Sequence, residues 1–237
     1  MAIRLRLRRH RLLLGILLIA ALLLALSLSV KSKRRETSGE EKARPTLVID
    51  PGHGGVDSGA LGADGTKESD LNLAIGLKLR ALAEFCGQDN VMIRQDDSTK
   101  CDTEVYSEHR DLECRTAIVN EAVNPVYISI HQNDYPTGQP SGAQVIYAAG
   151  EGSETLAQVT HANLLENLYP NSRRVAEPAS KKLYILSHVE CPAILVECGF
   201  ISNVIDLENL KKPGYQTSLA AILMASFLQF EKNTIRI

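Results

Sequence analysis

Four side chains in this sequence have the types and placement to do hydrolytic chemistry together: His53, Glu68, His131 and Glu197. His53 sits in Asp50-Pro51-Gly52-His53-Gly54-Gly55, where a hydrophobic run meets a turn whose glycines reach backbone conformations that other residues resist, which exposes the imidazole. A phosphate-cradling loop is the rival for such a segment, but the Gly-Lys-Ser/Thr ending that brings a lysine to the phosphates is missing. Glu68 follows Lys67 at the start of a helical pattern, where alone it reads as a surface acid favoured by the helix dipole. His131 closes the apolar run Val126–Ile130. Two imidazoles and one carboxylate suit a tetrahedral zinc and leave its fourth position to water, the pattern of a catalytic rather than a structural site. Glu197 emerges from the buried run Ile194-Leu195-Val196 just before Gly199. A carboxylate there is costly unless paired, metal-bound or used. It is therefore expected to be the general acid/base, taking a proton from water and returning it to a leaving amine.

The elements that must position these groups alternate between short β-branched runs and amphipathic stretches. That pattern predicts an α/β single domain with a mixed, mostly parallel central sheet of about six strands flanked by helices. Strands are expected at Leu47 to Asp50, Val91 to Gln95, Val126 to His131, Ala143 to Tyr147, Lys182 to Leu186 and Ala193 to Glu197. Helices are expected over Asp70 to Phe85 with Ser69 as cap, and at about Glu108 to Ala122, Glu154 to Leu168 and Tyr215 to Phe230. All four candidate residues then lie at or next to element ends, where open α/β sheets bind their ligands.

Charge divides the chain. Of its 26 Lys and Arg, nine fall in residues 1–35 with no acid, leaving 17 against 28 Asp and Glu, a net of −11 for the remainder. That balance is a poor match to a nucleic-acid backbone, so nucleic acid is excluded as a partner. Leu12 to Val30 is a 19-residue apolar run flanked by Arg4 to Arg11 and by Lys31 to Arg35. It is close to the roughly 20 residues that span a bilayer. Residues 1–30 are thus expected to be a membrane anchor, or a secretory signal if cleaved at Ser27-Leu28-Ser29. Residues 31–45 read as a polar linker and 46–237 as the catalytic domain. The cysteines (Cys86, Cys101, Cys114, Cys191, Cys198) contain no CxxC pair. Cys101 and Cys114 could close a loop, and spacing does not decide it; buried free thiols are the expectation.

The ordered segments closely resemble the zinc-dependent N-acetylmuramoyl-L-alanine amidases, the third amidase family. The resemblance runs from Leu47 to about Phe230 and rests on Val48-Ile49-Asp50-Pro51-Gly52-His53-Gly54-Gly55, Lys67-Glu68, Asp111-Leu112 with Arg115 and Asn120, Ser129-Ile130-His131-Gln132-Asn133, Gly142-Ala143-Gln144-Val145, and Pro192 through Asn203. It implies one Zn2+ held by His53, Glu68 and His131, catalysis by Glu197, and a peptidoglycan substrate cut between the lactyl group of muramic acid and the first L-alanine of the stem. A single anchor, no wall-binding repeats and the Tyr106 to Asn120 segment look like the germination-specific members, which prepare muramic lactam in spore cortex. The sequence departs from the family pattern at Gln132 and Asp134 and in the acidic stretch Cys101 to Glu108.

Asn133, Arg115 and Arg173 are candidate substrate contacts. Arg115 is equally suited to bracing loops, and Arg173 either grips a stem carboxylate through its planar fork or is a solvated surface residue. His109, His161 and His188 have no companion at useful spacing. An acidic domain beside an anionic wall suggests control by an activating protein partner or by cations. Localisation is expected to be membrane-anchored with the domain outside the cytoplasm, at the cell envelope or between the forespore membranes, or secreted if the segment is cleaved. Two other functions fit the same features: a zinc carboxypeptidase-like enzyme acting within stem peptides, and a membrane-tethered peptidoglycan-binding protein without catalysis.

Overall fold

The computed structural model describes residues 44–101 and 105–235. The expected N-terminal anchor, and the expected linker up to position 43, lie outside the described residues. Among the described residues no helix is long and apolar enough to cross a membrane.

Strands β1 (Thr46–Pro51), β2 (Asn90–Met92), β3 (Pro125–Asn133), β4 (Gln144–Tyr147), β5 (Glu177–Pro178) and β6 (Ala193–Phe200) form one sheet in the order β2-β1-β3-β6-β4-β5. All neighbouring pairs are parallel except β4 with β6, so the sheet is mixed and mostly parallel, as the alternating pattern predicts. The helices are α1 (Glu68–Phe85), α2 (Glu108–Glu121), α3 (Ser153–Asn167), α4 (Tyr184–His188), α5 (Val204–Leu210) and α6 (Pro213–Ile235).

Period-two alternation divides the strands between two apolar layers. Leu47, Ile49, Val126, Ile128, Ile130, Ile194 and Val196 face a core shared with Leu71, Ile75 and Leu79 of α1, Leu156 and Leu164 of α3, and Leu223 and Phe227 of α6. Val48, Tyr127, Ala193 and Leu195 face the other layer, with Val119 of α2 and Ile185 and Leu186 of α4. His131 and Glu197 have the parity of Tyr127 and Leu195, which puts them on the α2 and α4 side at the carboxyl ends of β3 and β6.

The chain leaves β1 through α1 to reach β2 on one side, then returns through α2 to β3 on the other. The carboxyl ends of β1 and β3 therefore form a topological switch point, where crossovers diverge and leave a crevice. His53 follows the first strand and His131 ends the second.

Several sequence expectations are corrected. Lys182 to Leu186 is not a strand: Tyr184–His188 is the short helix α4, and the edge strand is Glu177–Pro178. A brief apolar run fits either conformation, and here Ile185 and Leu186 reach the core from one helical turn. Ser69 does not cap α1. Lys67 holds the cap position, the amides of Glu68 and Ser69 donate to the carbonyls of Ala60 and Ser58, and the Ser69 hydroxyl is buried without a hydrogen-bond partner among the described residues. Helix α5 was not expected, although Asn203 caps it by accepting from the amides of Ile205 and Asp206. The thiols are also paired differently: Cys101 and Cys114 form a disulfide, Cys86 is exposed, Cys191 is half-buried and Cys198 is buried.

Candidate metal centre

His53 adopts a positive φ of 61° between Gly52 and Gly54, a conformation that side chains rarely take and that is held here by its surroundings. The surroundings are polar and buried. Arg94, fully buried, donates to the carbonyls of Pro51 (2.8 Å), Gly52 (3.0 Å), Ser69 (2.8 Å) and Asp96 (2.9 Å), tying the loop to the start of α1. Arg115, 2% exposed, donates to Asp50 (2.6 Å), Asp111 (2.6 Å) and the carbonyls of Pro51 (3.1 Å) and His53 (2.7 Å). Tyr127 donates to the other oxygen of Asp50 at 2.6 Å. These two guanidiniums satisfy the carbonyls of Pro51, Gly52 and His53 where β1 runs into the turn.

Within that frame the atoms of His53, Glu68 and His131 that could ligate an ion all lie within 4.8 Å of one another. Glu68 divides its oxygens between the imidazoles: Oε2 is 3.3 Å from His53 Nε2, and Oε1 is 2.9 Å from His131 Nδ1. Its remaining acceptor capacity takes the amides of Ala60 (3.0 Å) and Gln132 (3.1 Å) and the side chain of Asn72 (3.2 Å). His53 Nδ1 is 2.8 Å from Asp57 Oδ2, so that nitrogen carries the hydrogen and Nε2 is the lone pair when the ring is neutral. Asp57 is in turn fixed by the amide of Gly59 (3.0 Å) and the hydroxyl of Tyr106 (3.2 Å).

The glycines allow this crowding. A Cβ on Gly52 would stand 2.2 Å from His131 Nε2, and one on Gly59, at φ 62°, would stand 2.6 Å from Glu68 Oε2.

The electrostatics describe a cation site. Burial alone would push the His53 imidazole down, but Asp57 and Glu68 outweigh it and hold it up at about 10. Burial alone would raise the Glu68 carboxyl, yet His131 and His53 keep it well below the usual carboxylate range. His53 likewise brings Asp57 down to about 2. Glu197 is the exception: burial pushes it up to about 7, with the Glu68 charge adding to burial and the two imidazoles opposing it. It lies abreast of His131 on β3 and of Gln144 on β4, and its Oε2 is buried without a hydrogen-bond partner among the described residues. An acid that shares a charged pocket, is poised near neutrality and keeps an unengaged oxygen is placed to exchange a proton with something bound there.

The other candidates are distributed differently. Asn133 donates to Gln144 (3.2 Å), which donates to Glu177 (3.2 Å), a polar row beside Glu197. Arg173 is exposed. Arg115 has its guanidinium taken up by the contacts above, which are those of a brace. Gln132 turns inward, donating to Asn72 Oδ1 at 3.0 Å, and so buttresses Glu68 through Asn72. His161 bonds the carbonyl of Arg174, His188 bonds the carbonyl of Tyr184, and His109 pairs with Glu113, all apart from the centre. Asp57, Asn72 and Arg94 were not anticipated from sequence; Asp57, four residues after His53, carried the one readable signal, a carboxylate within reach of the imidazole.

A family profile described as N-acetylmuramoyl-L-alanine amidase matches residues 47–227. The germination-specific N-acetylmuramoyl-L-alanine amidase of Bacillus subtilis is 31% identical over 189 residues, 78% of this chain and 78% of that protein. The CwlD amidase of Clostridioides difficile, solved in complex with the GerS lipoprotein, superposes with a TM-score of 0.76 at 31% identity, covering 80% of this chain and 99% of that one. The amidase AmiC2 of Nostoc punctiforme gives 0.68 at 30% identity, covering 81% and 99%.

Proposed function

Because the chain belongs to the N-acetylmuramoyl-L-alanine amidase family, we propose that it hydrolyses the amide between N-acetylmuramic acid and the L-alanine of the peptidoglycan stem with the help of one zinc ion. The observation that carries the reading is the convergence of His53, Glu68 and His131 beside Glu197, whose Oε2 has no hydrogen-bond partner among the described residues. The donor set fits zinc: two nitrogens, one carboxylate, and a second layer in Asp57, Asn72 and Gln132 that orients them. Zinc bound there would polarise the scissile carbonyl and lower the pKa of water.

The chain's own groups do the rest. Asp57 keeps the hydrogen of His53 on Nδ1 and so presents Nε2 as a ligand. Gly52 and Gly59 let the imidazoles and the carboxylate close up. Glu197, held near 7 by burial, accepts the proton of the attacking water and passes it to the departing amine of L-alanine.

The proposal extends to spore-cortex maturation and muramic lactam formation, supported by the germination-specific relative, and to an activating protein partner, supported by the neighbour solved with a lipoprotein. A location outside the cytoplasm, anchored through residues 12–30 or released by cleavage, is supported by that apolar run and by the Cys101–Cys114 disulfide, a bond that persists in oxidising compartments.

The test is mass analysis of digested peptidoglycan with the native chain and Glu197→Gln. The native chain should release intact stems that begin with L-alanine, and the variant should bind zinc while its turnover drops about 10²–10⁴-fold. Shortened stems left on muramic acid would instead show a carboxypeptidase, and equal turnover in both forms would remove Glu197 from the mechanism.

A further inference from the structure

The cleft that holds His53 and His131 continues between α2 and α4, where Asp57, Tyr106, Lys182 and Tyr184 line it. Its cationic and imidazole groups are nearly all spoken for, while the acid Glu108 stands exposed on its α2 wall. Arg115 is engaged by Asp50 and Asp111, and the imidazoles share Glu68. Lys182 differs: it is exposed on the cleft wall, with no hydrogen bond or ion pair among the described residues. The wall beneath it is fixed, since Tyr184 stacks on His188 at 4.0 Å and meets the edge of His109 on α2 at 5.1 Å.

The polar row on the opposite flank of Glu197 holds no such free cation among the described residues. There Gln144 holds Glu177, an exposed acid that meets a carboxylate with like charge. Arg173, though exposed, is not among the residues lining the cleft.

These facts discriminate between the two halves of the substrate. The glycan is neutral, because the lactyl carboxyl of muramic acid is consumed in the scissile amide, whereas the stem carries free carboxylates. We propose that the stem peptide lies along the α2 and α4 side and that Lys182 pairs with the free carboxylate of its second, acidic residue, so that the enzyme prefers stems keeping this carboxylate over stems in which it is amidated. The inference rests on the amidase reading and names a specificity residue for it.

The experiment uses the zinc-loaded full chain and two synthetic muramoyl tripeptides that differ only in carboxylate or carboxamide at the second stem residue. The native chain should favour the carboxylate about two- to fivefold in kcat/KM, the scale of an exposed ion pair, and the preference should shrink as salt is raised. Lys182→Gln should bring the ratio close to one and Lys182→Arg should restore it, while Lys181→Gln and Arg173→Gln should keep the native ratio. Equal rates on both substrates with the native chain, a preference that survives in Lys182→Gln, or its loss in Arg173→Gln would each overturn the proposal alone. Cleavage of neither substrate by the native chain would overturn the amidase reading and this proposal with it.

Discussion

Replacing Arg115 by Met separates a structural brace from a substrate contact. The guanidinium meets four acceptors on three segments: Asp111 on its own helix, Asp50 and the Pro51 carbonyl on β1, and the carbonyl of His53 beyond. Removing the charge leaves two buried carboxylates facing each other, and breaking a buried ionic arrangement from one side costs about 3–5 kcal/mol. The lower end applies, since Asp50 keeps the Tyr127 hydroxyl and Asp111 keeps the amide of Lys100. With an m-value of about 2–3 kcal/mol/M, the urea midpoint should fall by roughly 1–1.5 M, in a protein whose total stability is on the order of 5–15 kcal/mol. Arg115→Lys should recover little, because one ammonium cannot span the same acceptors. Urea unfolding followed by circular dichroism, with zinc affinity measured in parallel, reads both effects; affinity should weaken because the His53 carbonyl loses its anchor. A midpoint change below about 0.3 M, together with a loss of turnover that depends on the stem presented, would refute the bracing argument and make Arg115 a substrate contact.

Two further outcomes follow from the site. In metal-free protein Glu197 binds its proton more tightly folded than unfolded between 4.5 and about 7, and His53 does so between 6.5 and about 10. Both contributions therefore make unfolding easier as pH rises through those windows. Zinc must displace the His53 proton, so the extra stability it confers should grow with pH; thermal melts with chelator or zinc at pH ~6 and ~9 check this, and a gap that narrows with pH would contradict it. Gly52→Ala places a methyl group where the His131 ring stands, 2.2 Å from Nε2, so zinc affinity should fall at least about tenfold, on the scale of disturbed ligand support. A chelator competition titration reads this, and native affinity in the variant would show that His131 can move aside freely.

Much of the fold was legible because it is governed by local pattern. The runs Val126–Ile130 and Ala193–Val196 are apolar enough to be interior strands, and both are legible within a few residues of their observed ends. What escaped was short or decided by tertiary neighbours. Glu177–Pro178 is two residues long and includes a proline, so nothing local marks it as a strand. Leu183-Tyr184-Ile185-Leu186 is apolar without a readable period and winds into one turn because Ile185 and Leu186 find the same core layer. Cys101 and Cys114 needed the folded loop to show that their Cα atoms come within 6.0 Å.

The site divides along the same line. His53, His131 and Glu197 were visible as chemistry at strand ends, and Glu68 gained meaning only with them. Their supports were hidden because a buried polar residue is identified by its partners. Arg94 reads as a strand residue and Asn72 as a helix residue, yet one carries the His53 turn and the other steadies Glu68.

The most direct test of the account is the metal content of the purified chain, measured by elemental analysis beside the His131→Ala variant. The account predicts one equivalent of zinc in the native protein and its loss in the variant, with folding retained by circular dichroism. A native protein that binds no divalent ion, or a His131→Ala variant that keeps its zinc, would contradict the claim that His53, Glu68 and His131 form a single metal centre.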